Sequence, residues 1–129
     1  MDLAHYFEET DGTGILATCT PEIRVNQAVY SKPFVVDDNI VAFVMKQGIS
    51  HQNLRCHLKA SYLFIEKGAS FKGIRLHLTM QREEKNRSLI ETLRVKQPCM
   101  YPEGDDSDKF LVFFEVDQLR PLIGDTCEG

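Results

Sequence analysis

The chain lacks most of the features that announce a function directly. Its longest unbroken apolar run, residues 40–45, is far shorter than the roughly 20 residues needed to cross a bilayer as a helix. Met1-Asp2-Leu3-Ala4-His5-Tyr6 has neither the basic start nor the apolar stretch of a secretory signal, so the expected location is the cytoplasm, with no membrane partner. There is no G-x-G-x-x-G and no G-x-x-x-x-G-K-[ST], which removes the common glycine-rich nucleotide loops. There is no internal repeat. Basic residues do not predominate. The 15 Lys and Arg stand against 19 Asp and Glu, and the net charge of −4 argues against a nucleic-acid partner. The 4 cysteines, Cys19, Cys56, Cys99 and Cys127, form no C-x-x-C pair and have no histidine at zinc-finger spacing. They read as reduced thiols, two of them buried in a strand or helix.

What is present is an ordinary globular composition. With 129 residues, 43% apolar and 26% charged, the chain suits a single domain over residues 1–129 with its own core. Asp2 is placed to cap a short helix carrying Leu3, Tyr6 and Phe7 on one stripe. Residues 15–19 are predicted as a strand, followed by a turn at Thr20-Pro21-Glu22. Ile23, Val25, Gln27 and Val29 then alternate with Arg24, Asn26, Ala28 and Tyr30, the mark of a strand with two distinct faces. Pro33 interrupts that strand, residues 34–36 resume it, and Asp37-Asp38-Asn39 makes a hairpin turn. Residues 40–45 show no alternation and read as a strand covered on both faces.

Further along, Ser50 is predicted as the N-cap of a short helix that Leu54 and Leu58 turn inward. Residues 61–65 and 71–80 are predicted strands, the second with Ile74, Leu76, Leu78 and Met80 on one face. Residues 83–95 are predicted as the one long helix. Leu89, Ile90 and Leu93 form its apolar stripe, and Arg82, Glu83, Glu84, Lys85 and Arg87 read as a solvated face. A polar loop over 97–108 leads to the last strand, 109–116, and residues 124–129 read as a frayed end. In that strand Phe113 faces away from Phe110 and Phe114, so that one face fills a barrel and the other meets a partner. About six strands following one another, with two or three helices, make a mainly β fold. The architecture expected is a six-stranded antiparallel barrel with helices at its ends or side.

The chemistry-bearing residues are few. Ser50-His51-Gln52-Asn53 opens a helix directly after an apolar strand, and a helix start offers backbone N–H groups and partial positive charge to an anion such as a phosphate. The same Ser50 and Asn53 also serve as plain capping residues. His51, Cys56 and His57 do not complete a zinc set, and the two histidines read as surface or half-buried side chains. Tyr30 is either a plain strand residue at a barrel surface or packs on or edges a planar group, since it has an apolar body and one polar tip. Cys19 has no visible base and reads as a packing residue. Arg24, Lys72 and Arg75 read as solvated strand charges.

In the order GILATC, IRVNQAVYSKPFVVDDNIVAF, MKQGISHQNLRCHLKASYLFIE, FKGIRLHLTM and FLVFFEVDQLRPLIG, the sequence resembles the pyridoxamine 5′-phosphate oxidase-like family of FMN-binding split barrels. The resemblance implies a split β-barrel homodimer with FMN at the subunit interface, and a flavin-dependent oxidoreductase using a small-molecule electron donor or substrate. It places the flavin ring near Gln27, Ala28, Val29 and Tyr30, the ribityl chain along Val44, Met45 and Lys46, and the phosphate near Ser50, His51 and Asn53. The chain departs from the family at Gly48-Ile49-Ser50, where relatives commonly carry Lys or Arg; Lys46, His51 and Arg55 are the nearby substitutes. It also lacks the C-terminal extension of the true oxidase, which argues against pyridoxamine phosphate as substrate. The alternative is a non-enzymatic module on the same barrel that binds or senses a flavin, a deazaflavin or haem.

Overall fold

The segment that reads as one interrupted strand forms two strands at opposite edges of one sheet. In the computed structural model, which describes residues 1–46, 48–68, 70–96 and 109–124, the elements run as follows. They are α1 (Leu3–Glu9), β1 (Gly12–Cys19), β2 (Val25–Tyr30), β3 (Phe34–Asp37), β4 (Ile40–Lys46), α2 (Ile49–Cys56), β5 (Lys59–Glu66), β6 (Gly73–Glu84), α3 (Arg87–Lys96) and β7 (Lys109–Pro121). The 7 strands form a single sheet in the order β2-β1-β5-β6-β7-β4-β3, and each neighbouring pair is antiparallel. The barrel therefore has one strand more than the six expected. Pro33 cannot donate to a ladder, so pairing stops at Tyr30 and resumes at Phe34 with a different neighbour.

That short link dictates the curvature. A flat sheet of this order would set β2 and β3 about 29 Å apart. The backbone from Tyr30 to Phe34 can reach at most about 14 Å. The sheet must curl until its two edges nearly meet, leaving a split between them. Ring contacts cross the gap: Tyr30 of β2 lies 5.9 Å from Phe43 of β4, which lies 5.0 Å from Tyr62 of β5 and 5.8 Å from Phe114 of β7. Leu16, Phe43, Met45, Tyr62, Phe64, Leu76 and Phe114 fill this interior and are almost fully buried.

The apolar run of β4 is buried on both faces, as its lack of alternation predicts. Val41, Phe43 and Met45 enter the barrel, while Ala42 and Val44 join Leu111, Phe113 and Ile90 in a second cluster outside it. Phe113 does face away from Phe110 and Phe114, but α3 of the same chain covers it rather than a partner. Helix α3 also starts later than predicted, capped by Asn86, whose Oδ1 accepts from the Leu89 N–H at 3.0 Å. Arg82, Glu83 and Glu84 belong instead to β6, opposite Phe113, Val112 and Leu111. Here pairing with the sequence-distant β7 overrides the helical preference of charged residues.

Two helices close the barrel ends. Asp2 caps α1 as expected, its Oδ1 accepting from His5 N–H at 3.2 Å, and α1 lays Leu3 and Phe7 over Tyr62 and Phe64. Lys32 of the β2–β3 link donates to the carbonyls of Phe7 and Thr10 at 2.7 and 3.1 Å, pinning the end of α1 beside the split. Helix α2 closes the opposite end, and its last turn ends before Leu58, which is exposed rather than inward-facing. Cys56 is exposed and Cys19 half-buried, so neither is the fully buried thiol expected; Cys99, Cys127 and the polar loop 97–108 lie outside the described residues. Among the described residues no helix is long and apolar enough to cross a membrane.

Candidate functional site

Helix α2 follows the apolar strand β4 and returns across the barrel mouth to β1 and β2. Three of its polar residues, Ser50, His51 and Asn53, are turned inward, each bonded to a different strand. Ser50 Oγ accepts from Asn26 Nδ2 of β2 at 3.2 Å, and Asn53 Nδ2 donates to Thr18 Oγ1 of β1 at 3.1 Å. His51, only 2% exposed, lies flat on Phe110 of β7 at 4.1 Å between ring centres. Its Nε2 sits 2.5 Å from Glu83 Oε2 of β6. Arg55 Nη2 reaches the other oxygen, Glu83 Oε1, at 3.1 Å.

Burial works against the Glu83 carboxylate, but the hydrogen bond and charge of His51, joined by those of Arg55, outweigh it and hold the carboxyl below its ordinary range. Glu83 was expected to be part of a solvated helix face. It was missed because its role depends on β6 extending beyond residue 80 to reach α2. Thr18, Asn26 and Phe110 were missed for the same reason: only the folded barrel brings them to one mouth.

Ser50 is not the N-cap. Gly48 holds that position in extended backbone, and no side chain among the described residues caps the first turn. The first-turn N–H groups of α2 are therefore left to a partner other than a capping side chain. This is the feature that suits an anion there, while the Ser50, His51 and Asn53 side chains hold α2 in place.

The remaining predicted site residues divide by strand alternation. Val25, Gln27 and Val29 point outward and are exposed, whereas Ala28 is half-buried and Tyr30 lies in the core. Among the described residues strand β2 pairs on one side only, with β1, so alternate N–H and C=O groups along it face the split. Val44 is under α3, Met45 is wholly inside the barrel, and Lys46 is half-buried where β4 ends, two positions before Gly48. The structure thus brings the outer edge of β2, the end of β4 and the start of α2 to one corner, but turns Tyr30, Val44 and Met45 away from it.

A separate cleft of about 670 Å³ opens at the α1 end of the split, lined by Phe7, Ser31, Lys32, Phe34, Val35 and Leu93 among others. None of the predicted site residues lines it. Among the described residues no group of three or more His, Cys, Asp or Glu is placed to hold a metal ion.

The sequence matches no family profile and no curated protein. Solved structures do match. An FMN-binding protein from Syntrophomonas wolfei superposes with a TM-score of 0.75 at 16% identity, over 97% of this chain and 86% of its own. An F420 reductase gives a TM-score of 0.65 at 14% identity, over 89% and 94%. A Clostridium acetobutylicum protein of the pyridoxinephosphate oxidase family, related to general stress protein 26, gives 0.63 at 17% identity, over 89% and 82%. At these identities the likeness is one of architecture, and the architecture is the split barrel of the pyridoxamine 5′-phosphate oxidase-like proteins.

Proposed function

We propose that this chain is a cytoplasmic FMN-binding flavoprotein, acting as a homodimer and as an oxidoreductase toward a small-molecule donor or substrate. The observation that carries the reading is the corner itself: an open strand edge beside a helix start without a side-chain cap. The fold is one that an FMN-binding protein also has. The backbone of residues 27–30 offers alternating donors and acceptors to the rim of a planar heteroaromatic ring. The exposed Gln27 amide adds one group that both donates and accepts. Val29 gives the ring an apolar surface. The first-turn amides of α2 take the phosphate, with Lys46 as the nearest cation on the approaching strand. Ser50, His51 and Asn53 orient those amides through their bonds to Asn26, Glu83 and Thr18. Val44 and Met45 contribute backbone only. FMN supplies the redox chemistry when bound, and the chain's residues bind, orient and shield it.

The exposed outward face of β2, with Val25 and Val29, supports a second copy as the wall that completes a dry site. A carrier or sensor of a flavin, a deazaflavin or haem is the second reading. It is favoured by the pairing of Ser50, His51 and Asn53 within the chain, which leaves no acid or base on the inner face of α2 to assist a reaction.

Titrating the purified protein with FMN tests the first reading. The expected result is saturable binding of one flavin per chain, with a shifted visible spectrum. A flat titration overturns it. Turnover with reduced nicotinamide and an acceptor separates enzyme from carrier, and a haem or deazaflavin spectrum in the purified protein replaces FMN with that group.

A further inference from the structure

The ladder between β4 and β7 ends on two lysines set directly opposite each other, Lys46 and Lys109. Directly opposed side chains share one sheet face. Strand alternation carries that face from Ala42 and Val44 to Lys46, and from Phe113 and Leu111 to Lys109. Lys46 is half-buried, and Lys109 is only 9% exposed. Like charges directly opposite repel, and burying an ammonium adds to that cost. On the same face Glu84, opposite Leu111 and diagonal to Lys109, is paired with Arg82. An ammonium has three donors, so a bond to the chain still leaves each lysine donors for an anion.

The lysine pair stands where β4 gives way to α2. The Gln52 N–H bonds back to the Gly48 carbonyl at 2.9 Å, so the amides before it, at Ile49, Ser50 and His51, begin the helix without an intrahelical acceptor. Among the described residues beyond its chain neighbours, a Cβ on Gly48 would meet only the Lys46 carbonyl oxygen, at 3.9 Å, so this turn is open to approach. A phosphate monoester brings close to two negative charges at neutral pH and three acceptor oxygens. A helix start supplies only a partial positive charge, and Gly48-Ile49-Ser50 carries no cation. Two full charges on adjoining strands match the phosphate where one does not.

We propose that Lys109 of the closing strand, together with Lys46, takes the flavin phosphate and makes the chain select FMN over riboflavin. This rests on the FMN reading above and adds the residues that set its specificity. The test is titration of wild type, Lys46→Met, Lys109→Met and Lys109→Arg with FMN and, separately, with riboflavin, which has the same ring and no phosphate. Methionine keeps most of the buried stem and removes the charge. Each methionine variant is expected to bind FMN about tenfold or more weakly and riboflavin as wild type does, while Lys109→Arg restores most of the FMN affinity. Unchanged riboflavin binding also shows that the variant has kept its fold. Equal losses for both flavins, or FMN affinity unchanged in Lys109→Met, overturn the proposal and leave the flavin reading standing. A wild type that binds both flavins equally well does the same. A wild type that binds neither overturns the flavin reading, and this proposal with it.

Discussion

Truncating Tyr62 to alanine is expected to cost about 3–5 kcal/mol, a large share of the stability of a domain this size. Tyr62 is fully buried at the barrel centre, where its ring meets Phe7, Phe43 and Phe64. Its hydroxyl is shared between the carbonyl oxygens of Tyr30 and Ser31, at 3.2 Å each, where the chain leaves β2 to cross the split. Burial pushes the phenol above its ordinary range, so it stays a neutral donor at any working pH. Removing the ring opens a cavity and strips the link of its hydrogen bond together. Tyr62→Phe keeps the ring and is expected to lose only about 1 kcal/mol. Gly14 makes room for this residue: a Cβ there would overlap the Tyr62 hydroxyl, so Gly14→Ala is expected to destabilise by about 1–3 kcal/mol. Urea unfolding of the three variants checks the ranking, and equal losses for Tyr62→Phe and Tyr62→Ala would contradict this account of the split.

Glu83→Gln is expected to cost about 2 kcal/mol at neutral pH, because it leaves the buried His51 ring without its charged partner and frees Arg55. The pH dependence follows from the direction of the Glu83 shift. Its folded carboxyl lies below the ordinary value of 4.5, so the stabilisation is present above that value and is lost as pH falls through the lower, folded one. The stability gap between wild type and Glu83→Gln should be widest at neutral pH and should close in acid. A gap that persists unchanged below the ordinary carboxylate range would show that the pair does not anchor α2.

The fold was legible where a local pattern determines the outcome. The alternation of β2, the doubly covered run of β4, the Asp2 cap and the opposed faces of Phe110 and Phe113 follow from side-chain periodicity, and the structure has them. The errors share one physical cause, which is pairing partners distant in the chain. Pro33 marks a break, but nothing local says that β2 and β3 go to opposite sheet edges. Arg82-Glu83-Glu84 favours helix in isolation and becomes strand because β7 is there to pair with it. At the site, Ser50, His51 and Asn53 were legible as a polar helix start. Their inward direction was not, because Asn26, Thr18, Glu83 and Phe110 reach them only in the closed barrel.

Amide hydrogen exchange of the protein with and without saturating FMN tests the central claim most directly, because it reports where the flavin sits. The account predicts slowed exchange at residues 25–30 on the β2 edge and at 48–51 in the first turn of α2, with little change along α1 and β3. Protection confined to the α1 end of the split around residues 31–35, or none at all, would contradict it.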